Sequence, residues 1–505
     1  MTLLDVAAIG VTLYILWKLL QNRQPSSHYL PPGPKGLPFV GNLLAMPPTE
    51  EWVTFAEWGR KWGGILAVSI LGKTMIIVNS ARIMDELDKK GAIYSDRPVL
   101  EMGGKLVGYD QTLVLIEYGA RFRTYRKHFL RYLGTPKAVE GLFPLIEHES
   151  RRFLQRTLAA PDNLMNHLRK LAGGVILKLT YGYEVQDGED PFVNLIEGAN
   201  ANFNAATVPG AFPVDFFPVM KILPEWLPGM AFLKTAAEWA VDTAKMVEVP
   251  YSWTQKQIAA GTAVPSFVST SLENDSALSV DELRDLKFTA SSMYGAGADT
   301  TASSEYAFYL AMTLYPDVQK KAQAEIDSIV GDDRLPNLND LPRLPYVQAV
   351  VTEILRWNSV APTGVPHRPV EDGYIGGYFI PKGALIVVNL WGMLHDPATY
   401  SEPFEFRPER HISTSEREAE LDPRKICFGY GRRICPGMFL AEASLFSCIA
   451  MSLAVFSVEK AVENGVPVTP VHENTSGIIS YPKPFKCTIK PRSAKAAALI
   501  AEEII

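Results

Sequence analysis

Cysteine is scarce in this chain of 505 residues, and its distribution is uneven. All four cysteines lie in the C-terminal part of the chain, whereas a disulfide framework would spread its bridges through a small secreted domain. No CxxC pair and no histidine cluster accompanies them, so the ligand spacing of a closed zinc site is missing. We therefore expect free thiols in a reducing compartment. The cysteines are Cys427, Cys435, Cys448 and Cys487.

The chain also lacks the basic character of nucleic-acid-binding proteins. Its net charge is -6, with acidic and basic residues mixed along its length, so we exclude a nucleic-acid partner. Repeats, low-complexity tracts and a sharp change of composition after residue 45 are missing, which favours one large domain over residues 46–505. Gly72-Lys73-Thr74 resembles part of a P-loop, but Ala67 stands where the first glycine is required, which argues against a nucleotidase.

An apolar run occupies the amino terminus. As a helix, residues 3–20 would be about 27 Å long, enough to cross the hydrocarbon layer of a membrane. Lys18 and Arg23 stand at and beyond the end of this run, and positive charge there keeps the bulk of a chain cytoplasmic. We predict a transmembrane anchor over residues 1–24 and a proline-rich hinge over residues 25–45. An amphipathic or core-packed helix is the alternative to the anchor.

Over most of the remaining chain the apolar residues recur with a helical period. Strand-like runs are few. Residues 65–78 read as a hairpin that turns at Leu71-Gly72, and residues 378–390 as a second hairpin that turns at residues 381–383. The sequence therefore predicts a mainly α fold with a small β part.

The clearest long helix begins at Ser279, which together with Glu282 fits a capping box, and it ends before Pro316. Its middle, residues 295–304, reads GAGADTTASS, and two glycines in a helix cost about 2 kcal/mol relative to alanine. Either the helix breaks there into two shorter helices, or a turn opens locally. In the second case the backbone approaches a ligand and the polar side chains face it.

Residues 428–437, FGYGRRICPG, place Cys435 among glycines, arginines and a proline. A thiolate that ligates a metal needs nearby donors and a backbone that can come close to a flat cofactor. An apolar helix is predicted directly after this stretch, and its N-terminus would favour a thiolate at Cys435. A buried, unreactive cysteine is the alternative that these residues leave open.

With two further motifs, this stretch resembles the cytochrome P450 family of haem-thiolate monooxygenases. A helix predicted over residues 345–357 places Glu353 and Arg356 one turn apart on one face, as in the ExxR element of the family. The resemblance spans nearly the whole chain and is to the microsomal, membrane-anchored members of fungal secondary metabolism. The matching residues are Phe428, Gly431, Arg433, Cys435 and Gly437 in the pattern FxxGxRxCxG, Glu353 and Arg356 in ExxR, and Pro408, Glu409 and Arg410 in the PERF element, where His411 replaces phenylalanine.

The resemblance implies a cytochrome P450 fold and a haem b group whose iron is bound by the Cys435 thiolate. It further implies that Glu353, Arg356 and Arg410 form a buried charge network behind the haem. Removing one member would strand the others at a cost of about 3–5 kcal/mol.

On the oxygen side of the haem, the resemblance implies that Asp299 relays protons and that Thr300 donates a hydrogen bond. Phe122 stands where the family usually has tryptophan, which removes one donor to a haem propionate and makes haem retention depend more on Arg126. The other haem contacts implied by the resemblance are Phe428, Gly437 and Ala296, together with His367 and Arg433 as propionate contacts and Arg97 as a looser match.

The reaction implied by the resemblance inserts one oxygen atom from O2 into a C–H bond of a hydrophobic small molecule, of terpenoid, polyketide or indole type. No GxGxxG follows a predicted strand, so the electrons come from a partner: NADPH–cytochrome P450 reductase, with cytochrome b5 as an additional donor. Candidate docking residues are Arg123, Lys127, Lys425 and Arg432, with ordinary surface charge as the alternative.

Residues 208–232 are too apolar and too rich in proline for an ordinary solvent loop. We predict a lid over the substrate entrance that dips into the endoplasmic reticulum membrane, with a buried connector as the alternative. A haem-binding sensor or carrier, and a haem-thiolate isomerase or peroxide-using enzyme, are the competing functions. The predicted pocket walls are residues 100–115, the region of Phe203, Ala296, residues 360–365 and residues 477–479.

Overall fold

The computed structural model describes residues 29–208, 210–274 and 278–501, together with residue 12. Across these residues the chain is mostly helical with a few short strands, which confirms the predicted fold class. Apart from Thr12, the residues of the predicted transmembrane anchor lie outside the described part of the chain.

The described residues group into two compact units. The first unit comprises the described residues of Met1–Pro98 together with Pro366–Asn389, and the second comprises those of Val99–Val365 together with Leu390–Ile505. The first unit contains helices α1 (Glu51–Trp62), α2 (Ala81–Lys89) and α3 (Gly91–Tyr94), and strands β1 (Ile65–Ile70), β2 (Lys73–Val78), β3 (Gly373–Ile375), β4 (Tyr378–Ile380) and β5 (Leu385–Val388).

The second unit carries the remaining elements, and its helices supply most of the hydrophobic core. Its helices are α4 (Ala120–Tyr132), α5 (Pro136–Glu140), α6 (Phe143–Ala159), α7 (Leu164–Tyr181), α8 (Pro191–Thr207), α9 (Phe232–Ala260), α10 (Phe267–Asn274), α11 (Val280–Leu314), α12 (Pro316–Ile329), α13 (Pro345–Trp357), α14 (Leu390–Leu394), α15 (Arg424–Cys427), α16 (Met438–Val455) and α17 (Ala494–Ala501). Its strands are β6 (Phe456–Lys460), β7 (Val462–Glu463), β8 (Val466–Pro467) and β9 (Cys487–Pro491).

In the first unit, β1 and β2 form the antiparallel hairpin predicted from the sequence. Its turn residues Leu71 and Gly72 have φ values of 48° and 83°, as a tight two-residue turn requires. The second predicted hairpin is wrong: β4 pairs with β3, and β5 pairs with β2 in parallel. The chain does turn at residues 381–383, but the strands before and after this turn, β4 and β5, pair with other strands and not with each other.

The proline-rich segment is extended over residues 29–36, and it then turns at residues 38–40 and forms a short 3-10 helix at Leu43–Ala45. It runs along β1: the Ala67 N–H donates to the Pro32 carbonyl at 3.0 Å, and Gly41 forms a bridge with Ile70. Tyr29 and Leu44 leave 79% and 78% of their surface exposed, so this segment also presents apolar groups to the outside.

In the second unit, α11 is the long helix predicted from the sequence. The capping box is present, because the Ser279 side chain accepts from the Glu282 N–H while the Glu282 carboxylate accepts from the Ser279 N–H. The helix continues unbroken through residues 295–304 and ends before Pro316, so the predicted alternative of two shorter helices is wrong. Helix α13 likewise has the predicted bounds, Pro345–Trp357.

Helix α16 begins directly after residues 428–437, the cysteine loop, as predicted. Of the described helices, it is the one that is long and apolar enough to cross a membrane, but most of it is buried within the protein. It is therefore a core helix, and it fixes the position of the loop that precedes it.

Candidate active site

The loop before α16 holds Cys435 in a fixed position. The Cys435 N–H donates to the Phe428 carbonyl at 2.9 Å, which closes the loop on itself. Gly429 and Gly431 have φ values of 76° and 60°, which residues with a side chain rarely adopt. The glycines of FGYGRRICPG are thus needed for the turn that brings the thiol back beside Phe428.

Cys435 is partly accessible as a residue, although its thiol is closely surrounded by protein. Burial raises the pKa of Cys435, while the N–H of Gly437 and the charge of Arg126 act in the opposite direction. The expected help from the helix N-terminus is therefore present at Gly437, but burial outweighs it. Burial also raises the pKa of Cys427 and Cys448 well above the ordinary value, and both lack this donor.

Arg126, on α4, reaches the cysteine loop from the side. Its Nη1 donates to the Ile434 carbonyl at 2.6 Å, and its charge is felt at the Cys435 thiol. Burial lowers the pKa of this half-buried arginine. In the described part of the chain, its other N–H groups have no hydrogen-bond acceptor, so they are available to an anion.

Arg433 is held more tightly than Arg126. Its terminal nitrogens donate to the carbonyls of Leu113 and Ile116 at 3.3 and 2.7 Å, and its guanidinium stacks on the Phe122 ring at 3.9 Å. The Phe122 side chain therefore keeps a role at the position where the family usually has tryptophan. It supports Arg433 through a cation–π contact, although it has no N–H to donate.

On α11, the turn around Ala296 is accessible, whereas most of the following turns of this helix are buried. Thr300 lies one turn later on the same face, and its hydroxyl donates to the Ala296 carbonyl at 2.8 Å. This hydroxyl keeps its lone pairs free to accept a further hydrogen bond. Of the predicted opened turn, only the accessible small residue beside a polar one is present, because the helix is continuous through this turn and Asp299 is buried.

Asp299 points into the protein and is 8% exposed. Burial raises its pKa, while hydrogen bonds from Tyr481 and Asn200 and the charge of Arg169 lower it in part. The Tyr481 hydroxyl also donates to the Asp299 carbonyl at 3.1 Å. The sequence predicted the acid itself but none of its partners, because these come from α7, α8 and the C-terminal segment.

The predicted charge network is present in the second unit. Glu353, Arg356 and Arg410 are each 0% exposed. Arg356 binds the Glu353 carboxylate through two nitrogens at 2.8 Å each, and Arg410 Nε donates to it at 3.1 Å. The remaining N–H groups of both arginines donate mainly to backbone carbonyls, and Arg410 also donates to Glu420 at 2.7 Å.

His411 is a member of this network that the sequence did not predict. Its Nε2 lies 2.8 Å from Glu353 Oε2, and the backbone N–H of Arg407 donates to Oε1 at 2.9 Å. Burial alone would raise the pKa of Glu353, but the bonds from Arg356 and His411 lower it to about 2. The substitution of the usual phenylalanine by His411 thus adds a donor rather than only changing the packing.

Two predicted propionate contacts, His367 and Arg97, belong to the first unit. His367 is 6% exposed, its Nδ1 lies 2.7 Å from the Tyr94 carbonyl, and its backbone pairs with Ile386. Arg97 Nη1 donates to the Pro366 carbonyl at 2.9 Å. Their roles towards the haem stay predictions.

The predicted pocket walls of the second unit are tied to one another. Tyr109 packs edge-on against Phe203 at 5.1 Å, and the Ser480 N–H donates to the Val360 carbonyl at 2.8 Å. Asn204 accepts from the Ile479 N–H at 2.9 Å and donates to the Ile479 carbonyl at 3.1 Å. Wall segments that are distant in the sequence therefore lie together.

These residues fit a flat, anionic cofactor ligated by a thiolate, which is the description of haem. Cys435 is a partly accessible cysteine, and Arg126 offers N–H groups that have no acceptor among the described residues. Ala296 offers a small, accessible surface in the middle of α11.

Comparison with known proteins agrees with this geometry. The sequence pattern of the family described as cytochrome P450 matches residues 31–489. The chain is 50% identical over 498 residues to cytochrome P450 monooxygenase 208 of Postia placenta, which covers 98% of this chain and 97% of that protein. It is 46% identical over 502 residues to cytochrome P450 monooxygenase claR of Ampulloclitocybe clavipes, covering 99% and 92% of the two chains.

A third fungal relative is cytochrome P450 monooxygenase CLM2 of Gibberella zeae, with 41% identity over 513 residues, covering 99% of this chain and 96% of that protein. Both the family pattern and these relatives extend across the two units. The chain therefore belongs to the cytochrome P450 family of haem-thiolate monooxygenases, oxidoreductases that incorporate oxygen into their substrates.

Proposed function

We propose that this enzyme hydroxylates a C–H bond of a hydrophobic small molecule in fungal secondary metabolism. The observation that carries the proposal is the combination of a partly accessible Cys435 with an accessible turn at Ala296 and Thr300 beside the buried acid Asp299. A sensor or carrier that only binds a gas needs no buried acid beside a hydroxyl.

In this proposal the Cys435 thiolate would hold a haem b group, and Arg126 and Arg433 would contact its carboxylates. When bound, haem with a thiolate ligand supplies the activation of O2, because the thiolate favours O–O cleavage. Arg126 has the unpaired N–H groups for this role. Arg433 contributes by holding Leu113 and Ile116 in place.

Asp299 and Thr300 hold and move protons on the other side of the site. Burial keeps the pKa of Asp299 raised, so it takes up a proton more readily than an exposed aspartate and returns it to a nearby acceptor. The Thr300 hydroxyl donates its hydrogen to the Ala296 carbonyl, so its lone pairs can accept from a proton donor such as water. A Thr300→Ala protein that still oxidised its substrate with full coupling would remove Thr300 from this role.

The substrate in this proposal is apolar because the predicted pocket walls are lined with apolar side chains. Val360, Val365 and Leu113 are half-buried apolar residues packed against the core, and the accessible position on α11 is an alanine. Burying apolar groups of a ligand against such walls contributes about 25 cal/mol per Å². Terpenoids, polyketides and indole-type compounds have this character.

The electron donors in this proposal are NADPH–cytochrome P450 reductase and, in addition, cytochrome b5. Arg123, Lys127, Lys425 and Arg432 are all exposed. Arg123 and Lys127 are on α4, which also carries Arg126, and Arg432 is in the cysteine loop itself. Exposed positive charge on the elements that hold Cys435 suits an acidic electron-transfer partner.

We place the enzyme at the endoplasmic reticulum membrane as a single-pass protein with a cytoplasmic catalytic part. Within residues 208–232, Trp226 and Ile222 are 80% and 75% exposed, so the alternative of a buried connector is wrong. Val219 and Phe217 add further exposed apolar surface. Such a surface is stable against lipid and unfavourable in water, which supports a lid that dips into the membrane.

The test is expression of the full-length chain with a reductase, followed by CO-difference spectroscopy and product analysis. We expect the reduced, CO-treated protein to absorb at the Soret position of thiolate-ligated haem. Cys435→Ser should abolish this absorption, whereas Cys427→Ser, in the same region of the chain, should keep it. Wild-type absorption in Cys435→Ser, or a histidine-type spectrum in the wild type, would overturn the proposal.

A further inference from the structure

Asp299 is nine-tenths buried, so a proton from solvent must pass through another group to reach it. Two polar side chains, those of Asn200 and Tyr481, hydrogen bond to the Asp299 turn. Asn200 Nδ2 donates to the Gly295 carbonyl at 3.0 Å and also hydrogen bonds to the Asp299 carboxyl. Tyr481 donates to the Asp299 carbonyl at 3.1 Å. These bonds fix the direction in which the carboxyl points, but neither an amide nor a buried phenol supplies protons at neutral pH.

A charged pair lies at the edge of this cluster. Arg169, on α7, binds Glu197, on α8, at 3.0 Å, and their side chains are 35% and 28% exposed. Glu197 and Asn200 are one helical turn apart on α8, so they share a face. The Tyr481 side chain experiences the charges of Asp299, Arg169 and Glu197 together, which places all four groups in one cluster. Glu197 is thus a partly exposed carboxyl whose surroundings include the charge of Asp299.

We propose that Glu197 is the proton carrier between solvent and Asp299, with Asn200 and Tyr481 as positioning residues. The Glu197 carboxylate takes a proton from water and passes it through an ordered water to the Asp299 carboxylate. Glu197 then returns to its ionised form beside Arg169, and no electrons are transferred.

The electrostatics suit this role. Burial, opposed by Arg169 and reinforced by Asp299, raises the pKa of Glu197. A raised pKa makes Glu197 a better proton acceptor than an exposed glutamate, as a proton carrier requires. The charged and titratable groups that face Asp299 are Arg169 from α7, Glu197 from α8 and Tyr481 from the C-terminal segment.

The inference rests on the proposed function, but its test needs neither substrate nor turnover. After a rapid drop in pH, the infrared band of the protonated Asp299 carboxyl is followed in the full-length, haem-loaded protein and identified by its loss in Asp299→Asn. We expect Glu197→Gln to slow the appearance of this band about tenfold or more while its final amplitude is kept. Glu197→Asp should restore most of the rate.

The matched control is Glu184→Gln, which removes another carboxylate that is paired with basic residues on the same unit. It should leave the rate unchanged. A wild-type rate in Glu197→Gln would overturn the proposal. So would equal slowing in Glu197→Gln and Glu197→Asp, because that result would assign the effect to packing. Failure of the proposed oxygenation would instead appear in the CO spectrum and product analysis, independently of this rate.

Discussion

Two glutamates of the second unit are each 0% exposed, yet the protein treats them in opposite ways. Glu353, on α13, accepts five hydrogen bonds, two from Arg356 and one each from Arg410, His411 and the Arg407 backbone. Glu305, on α11, has no hydrogen-bond partner for either oxygen among the described residues. The pKa of Glu353 is lowered to about 2, whereas burial raises that of Glu305 well above its ordinary value.

Glu353 is therefore stabilised as a carboxylate by its donors, whereas Glu305 has no donors in the described part of the chain and its charged form is disfavoured. A buried carboxylate is stable only when donors replace the water that it loses, and the Glu353 network does this with two arginines and a histidine. Glu305 instead avoids the charge by staying protonated, which still leaves two polar atoms without partners. The first arrangement fixes the α13 region in one geometry, while the second weakens the packing of α11 against its neighbours.

The largest effect is expected when the satisfied glutamate is removed. Glu353→Gln leaves Arg356 and Arg410 buried with a partner that has no charge, and we expect a loss of about 3–5 kcal/mol in the free energy of unfolding. Urea denaturation and the haem content of the purified protein measure this loss. Glu353→Asp, which keeps the charge, and Glu416→Gln, at an exposed position, are the controls. A loss below about 1 kcal/mol would show that the network is not needed for stability.

A smaller loss is expected when one donor is removed from the same carboxylate. His411→Phe restores the residue usual in the family but takes away the bond to Glu353 Oε2, so we expect a loss of about 1.5–3 kcal/mol. His411→Asn keeps a donor at this position and should lose less. If His411→Phe were as stable as the wild type, His411 would act only by filling space.

At Glu305, which has no hydrogen-bond partners among the residues that the structure describes, substitution should increase the free energy of unfolding instead of lowering it. Glu305→Leu removes two unpaired polar atoms at similar volume, and we expect a gain of about 1–3 kcal/mol in the free energy of unfolding. Glu305→Gln keeps unpaired polar atoms and should gain less. A loss of stability in Glu305→Leu would mean that Glu305 is hydrogen-bonded in solution.

The two glutamates should also differ in the pH range where they matter. The folded pKa of Glu353 lies below its unfolded value, so its stabilisation is present above about pH 4.3 and is lost as the pH falls towards about 2. The folded pKa of Glu305 lies above its unfolded value, so its contribution is fully present below about pH 4.3 and is lost as the pH rises.

Denaturation curves measured at several pH values test this difference. The deficit of Glu353→Gln should shrink in acid, and the advantage of Glu305→Gln over the wild type should grow towards neutral pH. Parallel curves for wild type and Glu305→Gln at all pH values would contradict the assignment of Glu305 as a neutral acid.

The sequence predicted one of these glutamates and not the other, for a physical reason. Glu353 belongs to a recognisable motif, while Glu305 lies in a stretch of α11 whose charge would ordinarily suggest an exposed face. Whether a helix position is buried depends on which other helices pack against it, and the periodicity of one helix does not reveal this. For the same reason the sequence predicted Asp299 but missed Arg169, Glu197 and Tyr481.

The strands show the same limit. The β1–β2 hairpin is local and was predicted with its turn, because both partners and the turn residues are adjacent in sequence. The β2–β5 pair joins Val78 to Val388 in parallel, and no local signal identifies partners so far apart. Helix bounds that depend on caps and prolines, as at Ser279 and Pro316, were predicted well.

The smallest effect is expected at Phe122. It tests whether an added hydrogen-bond donor stabilises the carboxylates of the haem, as the donors around Glu353 stabilise its carboxylate. Phe122 supports Arg433 by stacking but donates nothing, so Phe122→Trp should keep the stacking and add an indole N–H. We expect haem transfer to apomyoglobin to slow by a factor that corresponds to about 0.5–1.5 kcal/mol. Phe122→Leu, which removes the ring, should speed the transfer. Because Phe122 is 3% exposed, the larger indole must also fit. Faster haem loss in Phe122→Trp with unchanged unfolding stability would therefore show that an added donor at this position does not reach the anion.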